Sequence, residues 1–405
     1  LGVAKESIRV SNKPEPLGER EFERILLIKL SALGDVIHTI PLLNALRRRY
    51  PAARIDWLLK PSVAELIRLH PAVSNVLVYG ENHTEAPRYN WEGVTHWLGL
   101  MLDQRFLGML RGIRRARYDL VIDVHCQMRT AFVTLVSGAP TRIGFGKPQP
   151  EVWQEAGKLL PEGTIQRSWK GAREVSWLAY THHIPLPTLD VHAVDRYLSA
   201  GRMLGTVDTR ADFDFPISPA IAAKVDRLLE ARGIPLQHDA IVLAPAALWE
   251  TKRWQPEGFA EVARHFIRAG RPVVLIGSKD ERPECEQIAA AAPGTVDLAG
   301  QTTLVELAAL LKRAAICLTN DSGPMHMAVA LDKPVASVFG PTNPDWIGPY
   351  GRYDAVLRSR PACSPCYLRN LSRCNHRHAC MTEVPAADVI HRMETMLQER
   401  AAALR

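Results

Sequence analysis

The sequence predicts an α/β protein made of two doubly wound halves facing each other across a cleft. Three observations carry this. Short apolar runs such as residues 24–30 (RILLIKL) and 240–244 (AIVLA) have the unbroken hydrophobicity of strands buried on both faces. Each is followed by a short polar loop and then a helical period, the rhythm of βαβ units and a parallel sheet. That rhythm runs once through residues 24–146, breaks in a Pro- and Asp-rich stretch at 186–218, and restarts at 240. A chain of 405 residues has room for two such units, and 47% hydrophobic residues against 23% charged ones supply each with a core.

Residues 1–22 are polar and contain prolines, so they read as a poorly ordered tail and not as a signal peptide. Strand 24–30 feeds the loop Ser31-Ala32-Leu33-Gly34-Asp35 and a helix over 36–50, in which Pro41 should introduce a kink or mark the true start. Strands at 54–59 and 76–79 flank a helix over 63–70. Residues 81–117 interrupt the rhythm. Their segment WLGLMLDQRFLGMLRGIRRAR has apolar residues at helical spacing and a basic end. It suits an interfacial helix on an anionic membrane or a core helix with its basic end in solvent. The second is favoured, because most amphipathic helices pack on their own domain. Strand 118–124 ends at His125-Cys126-Gln127-Met128-Arg129. Strand ends along one edge of an open parallel sheet are ligand positions, which makes His125, Gln127 and Arg129 candidate acceptor contacts; a plain polar loop with a helix start is the alternative. A strand at 141–146 and a helix over 167–183 complete the first half. The domain junction is placed in 186–218. Asp212-Phe213-Asp214 within it matches the DxD pattern of metal-dependent sugar transferases, but Phe and Asp alternating before Pro216 also describe an exposed edge strand, the reading adopted here.

In the second half, strands are expected at 240–244, 273–276 and 296–298, with helices from Pro256 and over 304–312. Strand 314–318 runs into Thr319-Asn320-Asp321-Ser322-Gly323-Pro324, a cluster of helix-start residues with Pro placed for the first turn. A helix from Met325 and a strand at 335–339 follow. A helix start with glycine and a hydroxyl presents backbone N–H groups to an anion, so this loop is either a phosphate or diphosphate cradle or an ordinary capped helix. The last helix, 386–403, is long enough to cross back over the first half.

The net charge is +7, with basic clusters at Arg47-Arg48-Arg49 and at 111–117. Such clusters suit an anionic small molecule, an anionic lipid surface or nucleic acid, but no nucleic-acid-binding module is present, so nucleic acid is not an expected partner. No stretch has the apolar length of a spanning helix, and the expected location is cytoplasmic, where the seven cysteines would be reduced or metal-bound. Four of them, Cys363, Cys366, Cys374 and Cys380, have the spacing of a tetrahedral thiolate site for structural zinc or iron. His376 and His378 are alternative ligands, and two disulfides or free thiols are competing readings. Cys126, Cys285 and Cys317 look like scattered core or loop residues. The first strand lacks the G-x-G-x-x-G turn of a dinucleotide oxidoreductase.

The blocks RILLIKLSALGDVIHTIPLLNALRRRYP and NDSGPMHMAVALDKPVASVFGPTNPDWIGPYG closely resemble the ADP-heptose:lipopolysaccharide heptosyltransferases of glycosyltransferase family 9. The resemblance runs from about Arg24 to the C-terminus. It implies the GT-B fold, two Rossmann-like doubly wound domains, the first for the acceptor and the second for the nucleotide sugar. On this basis the chain divides into a flexible tail (1–22), an acceptor-binding domain (23–200), a nucleotide-sugar domain (201–385) and a final helix (386–405). The implied reaction moves L-glycero-D-manno-heptose from ADP-heptose to a Kdo or heptose hydroxyl of a lipid-linked core oligosaccharide, inverting the anomeric centre without a catalytic metal. A peripheral contact with the inner face of the cytoplasmic membrane goes with such an acceptor.

By the same resemblance, Asp35 is the general base. Ser31 and Gly34 share its loop and join the acceptor-binding set. Lys252 in WETKRW binds phosphate, with Arg253 assisting. Ser322, Gly323 and His326 receive the diphosphate at a helix start, Asp321 orders that loop or touches the sugar, and Glu281 holds the ribose. The related protein-heptosylating transferases carry iron in a comparable cysteine cluster. The alternatives are the same fold acting on a protein or small-molecule acceptor, and a non-catalytic scaffold assembled through the four-cysteine segment.

Overall fold

The computed structural model describes residues 16–80, 103–147, 172–185, 191–207, 211–235 and 240–403. Its apolar runs form two sheets, each of six strands and parallel throughout. In the first, β1 (Arg24–Ile28), β2 (Arg54–Leu59), β3 (Asn75–Val78), β4 (Leu120–Asp123), β5 (Thr141–Phe145) and β6 (His182–Ile184) lie in the order β3-β2-β1-β4-β5-β6. In the second, β7 (Ala240–Ala244), β8 (Val273–Leu275), β9 (Val296–Asp297), β10 (Ala314–Asn320), β11 (Val335–Val338) and β12 (Val356–Leu357) lie in the order β12-β11-β10-β7-β8-β9. The two halves repeat one topology. Each has its first strand between its second and fourth, so each has a switch point where chain order reverses and a crevice opens beyond the strand ends.

Helix α1 (Leu33–Arg49) is buried without a break from Val36 to Leu46. It is enclosed on several sides, by α5 (Ala193–Met203) and by α10 (Gly323–Ala330) of the other half. That enclosure lets it carry Pro41 in its interior: the helix begins at Leu33, so Pro41 is not its start, and packing outweighs the lost backbone bond. The first half also carries α2 (Pro61–Arg68), α3 (Gln104–Ala116) and α4 (Met128–Ser137). The second half carries α6 (Pro219–Ala231), α7 (Pro256–Arg268), α8 (Arg282–Ala291), α9 (Leu304–Lys312) and the short α11 (Pro344–Ile347) and α12 (Ala379–Thr382), ending in α13 (Ala386–Ala403).

Several expectations need correction. Of the tail, residues 16–22 are held in place: Leu17–Glu19 forms a 3-10 turn, Glu21 pairs with Arg49 at 2.6 Å, and Phe22 packs edge-on against Tyr50; residues 1–15 lie outside the described set. The expected helix over 167–183 is, in its described part, a 3-10 turn at Ser176–Ala179 followed by strand β6, because His182–Ile184 completes the edge of the first sheet. The junction stretch contains a real helix, α5. Asp212-Phe213-Asp214 forms no strand; its backbone is tied down by Asn44 and His70, and Asp212 pairs with Arg48.

In α3, Phe106, Leu110 and Ile113 are buried in the first half's own core with Leu26, Ile28 and Val133. Its apolar face is therefore covered by protein and not offered to a membrane. Residues 81–102 lie outside the described set. No helix among the described residues is long and apolar enough to cross a membrane. Finally, α13 does not lie chiefly over the first half. It packs against α7, β10 and β11, with His265 hydrogen-bonded to Glu394 at 2.8 Å.

Candidate active site

The two switch points meet where the N-termini of α1 and α10 touch. A Cβ on Gly34 would stand 2.3 Å from the His326 ring, and one on Gly323 would stand 2.6 Å from Leu33. Only glycine allows either approach. The contact continues into three imidazoles: His38 Nε2 and His326 Nδ1 share a hydrogen bond of 2.9 Å, and the His192 ring packs edge-on against His38. His192 also reaches the Gly348 carbonyl at 3.1 Å. Burial pushes all three pKa values down, His326 to about 4 and His192 to about 3, so the junction is neutral at physiological pH.

On the first-half side, Asp35 sits in the first turn of α1 with its side chain 40% exposed. The Tyr197 hydroxyl donates to Oδ1 at 2.9 Å, and the Lys29 ammonium lies 3.5 Å from Oδ2. Burial raises the carboxyl pKa, but Lys29, the Tyr197 hydroxyl and the Arg173 and Arg196 cations outweigh it and hold the pKa below the ordinary aspartate value. His125 and Arg129 share a 3.1 Å hydrogen bond just beyond β4, and Lys29, Arg129 and Arg173 all bear on the His125 ring. Burial first, then these cations, drive its pKa well down. Gln127 opens α4 through its backbone: its N–H donates to the Thr130 hydroxyl at 3.1 Å and its carbonyl accepts from that hydroxyl at 2.9 Å, while its side chain bears on the His125 ring. Ser31 lies in the loop between β1 and α1, partly exposed.

On the second-half side, Lys252 ends a 3-10 turn after β7. Its ammonium is 2.6 Å from Asp321 Oδ2 and 4.5 Å from the centre of the Trp249 ring. The same Asp321 oxygen accepts from Thr342 at 2.6 Å, so Asp321 orders the loop and aims the lysine. Asn320, at the end of β10, accepts from the Trp254 N–H at 3.0 Å and donates to the Pro245 carbonyl, clamping the lysine turn to the loop. Ser322 is the N-cap of α10, and its hydroxyl oxygen is enclosed with no hydrogen-bond partner among the described residues. A buried hydroxyl at a helix start, beside the positive end of the dipole, is suited to a phosphate oxygen. Arg253 donates to the Ala247 carbonyl at 2.8 Å and lies 3.4 Å from Glu284. Glu281, beyond β8, accepts from the Ser278 N–H at 2.7 Å.

The structure thus brings together Asp35, Gly34, Gly323, His326, Ser322, Asp321 and Lys252, and places His125 and Arg129 beside them through Lys29 and Arg173. Sequence reasoning missed Lys29, Tyr197, Arg196 and the histidine junction. Lys29 was absorbed into an apolar strand, and Tyr197 and Arg196 lie on a helix with no strand-end position to flag them.

For the four cysteines expected as a metal site, burial first and then the neighbouring thiols raise the pKa of Cys363, Cys366 and Cys380, and none of the four is in a disulfide. Among the described residues, no group of three or more His, Cys, Asp or Glu side chains is arranged to hold a metal ion. His378 bonds the Thr251 carbonyl at 2.7 Å, linking this segment to the lysine turn. Cys126, Cys285 and Cys317 are buried.

Residues 159–375 match the family description "Glycosyltransferase family 9 (heptosyltransferase)". The chain belongs to this family. It is 29% identical over 352 residues to lipopolysaccharide heptosyltransferase 1 of Pseudomonas aeruginosa, covering 85% of this chain and 86% of that one. It is 25% identical to lipopolysaccharide heptosyltransferase 3 of Escherichia coli, covering 91% and 96%. The Escherichia coli ADP-heptose lipopolysaccharide heptosyltransferase II structure superposes with a TM-score of 0.70 at 21% identity, covering 93% of this chain and 99% of that one. The fold of this glycosyltransferase is therefore GT-B, as the sequence pattern indicates. A more distant structural neighbour is the iron-containing glycosyltransferase TibC, with a TM-score of 0.52 at 14% identity, covering 94% of this chain and 77% of that one.

Proposed function

We propose that this family 9 enzyme transfers heptose from ADP-heptose to a hydroxyl of the lipopolysaccharide inner core, with inversion at the anomeric carbon. The observation that carries the reading is the meeting of Asp35 with the Lys252–Asp321–Ser322 loop at one junction, supported by the names of the curated relatives. The diphosphate lies at the start of α10, against Lys252 and the Ser322 hydroxyl, with Arg253 nearby and Glu281 on the ribose. The acceptor enters past His125 and Arg129 to Asp35. Its oxygen attacks the anomeric carbon from the face opposite the diphosphate. As that C–O bond forms, Asp35 takes the hydroxyl proton. The anomeric bond to the β-phosphate oxygen breaks, its electron pair leaves with ADP, and the fixed positive charge of Lys252 and the helix start stabilises that charge. No step requires a metal. Cys363, Cys366, Cys374 and Cys380 are not arranged as a metal-binding group in this structure, and the transfer draws no chemistry from them.

The test is transfer from β-configured and α-configured ADP-heptose to Kdo-lipid A, and to the same acceptor already carrying one heptose. Product from one donor anomer only, with the opposite configuration at the new bond, is expected. Asp35→Asn should lower kcat by about 100- to 10,000-fold, the usual contribution of a positioned general base. Retained configuration, or an Asp35→Asn enzyme with normal turnover, would defeat the reading.

A further inference from the structure

We propose that Tyr197 and Lys29 are positioning residues for the Asp35 carboxylate, Tyr197 holding one oxygen and Lys29 bracing Tyr197, so that the other oxygen is presented to the acceptor. This rests on Asp35 being the base. Lys29 and Tyr197 are buried, while Asp35 opens to the cleft. The Lys29 ammonium donates to the Tyr197 hydroxyl at 2.7 Å and to the Val124 carbonyl at 3.4 Å, and it stands 4.6 Å from the centre of the tyrosine ring.

An ammonium has donors and no acceptor, so the tyrosine oxygen must accept from Lys29. Its single proton is then committed to Asp35 Oδ1, at 2.9 Å. The direction of the chain Lys29 → Tyr197 → Asp35 is fixed by chemistry. Among the described residues, Oδ2 keeps only the 3.5 Å ion-pair contact with Lys29. It is the oxygen left for an incoming hydroxyl.

Tyr197 also ties the base to the donor half. It projects from α5, which packs along α1. On the same helix Asp195 accepts from the Tyr350 hydroxyl at 2.9 Å, and His192, its N-cap, bonds the Gly348 carbonyl at 3.1 Å. The position of the carboxylate is thereby registered to the half that carries the phosphate loop. The groups that bear on Asp35 come from every side: Lys29 beyond β1, Arg196 and Tyr197 on α5, Arg173 in the loop before the 3-10 turn, and His326 on α10.

The experiment compares wild type, Tyr197→Phe, Lys29→Met and Asp35→Asn in two measurements. The first is carboxyl titration of aspartate-labelled protein by carbon-13 NMR, with the Asp35 signal assigned by its loss in Asp35→Asn. The second is the pH profile of heptose transfer from ADP-heptose to Kdo-lipid A. Tyr197 and Lys29 both favour the ionised carboxylate, so removing either leaves burial less opposed and moves the Asp35 titration and the acid limb of the profile to higher pH. Tyr197→Phe should also lower kcat by about 10- to 100-fold, the loss of one hydrogen bond to a charged group. Donor KM should stay within about twofold.

An unmoved Asp35 titration in both Tyr197→Phe and Lys29→Met overturns the proposal, whatever the activities. So does a fall in kcat that tracks a fall in melting temperature with no change in the pH profile. Normal turnover by Asp35→Asn would instead remove the base reading itself. An inactive Asp35→Asn beside a wild-type-like Tyr197→Phe would remove only this inference.

Discussion

At the scale of the residue, the site is a set of charges whose partners determine their use. Asp35 is ionised throughout the physiological range because the cations and the hydroxyl around it outweigh burial. The sign for stability follows. With a folded pKa below the ordinary 3.8, Asp35 stabilises the fold above that pH and loses this contribution as pH falls through the lower value. Lys252 is held to Asp321 by a 2.6 Å ion pair, and Asp321→Asn should leave its direction less determined. Donor affinity in Asp321→Asn should fall by about 10-fold or more, the cost of disturbing a charge-assisted hydrogen bond; unchanged affinity by calorimetry would mean that Asp321 does not aim the lysine. Asp35 and Lys252 were singled out in the sequence because their loops resemble those of family 9. The order Lys29 → Tyr197 → Asp35 was not, since Tyr197 is 162 positions from Asp35 and only packing joins them.

At the scale of the element, glycines report which helix surfaces are closed. Gly34 lies in the first turn of α1 against the His326 ring, so Gly34→Ala should destabilise the protein by about 1–3 kcal/mol through overpacking. Gly108 and Gly112 lie inside α3, exposed, with nothing among the described residues within 4 Å of an added Cβ. Replacing either with alanine should stabilise by about 0.5–1 kcal/mol. Denaturant unfolding of the three variants checks both signs; a stabilising Gly34→Ala would show that the helices do not meet there. The apolar spacing of α3 was legible, and its buried Phe106, Leu110 and Ile113 supply the reason it packs inward. Strand β6 was not legible, because its three residues, His182–Ile184, are short and polar and depend on β5 for pairing.

At the scale of the whole molecule, the halves repeat one sheet order and meet through neutral histidines. The repeated βαβ rhythm made both sheets readable from the chain alone. The junction was not readable, because His38, His192 and His326 are scattered in sequence and converge only when α1, α5 and α10 pack together. The folded pKa values of the three histidines are depressed, so the unfolded chain binds more protons as pH falls below about 6.5. Stability should therefore fall from pH 6.5 to pH 5, by up to about 1.4 kcal/mol per pH unit for each histidine. His192→Gln should flatten that slope by about one proton. A slope identical to wild type would show that His192 is not held neutral in the folded protein.

The central claim is that the loop of Lys252, Asp321 and Ser322 is the cradle of an ADP-sugar that faces Asp35. Its most direct test is calorimetric titration of ADP-heptose beside UDP- and GDP-sugars, with wild type, Lys252→Ala and Asp35→Asn. The ADP-sugar should bind in preference to the others, with a loss of about 10-fold or more in Lys252→Ala and near-normal affinity in Asp35→Asn. Equal binding of all three nucleotides, or a Lys252→Ala protein that binds as wild type does, would contradict it.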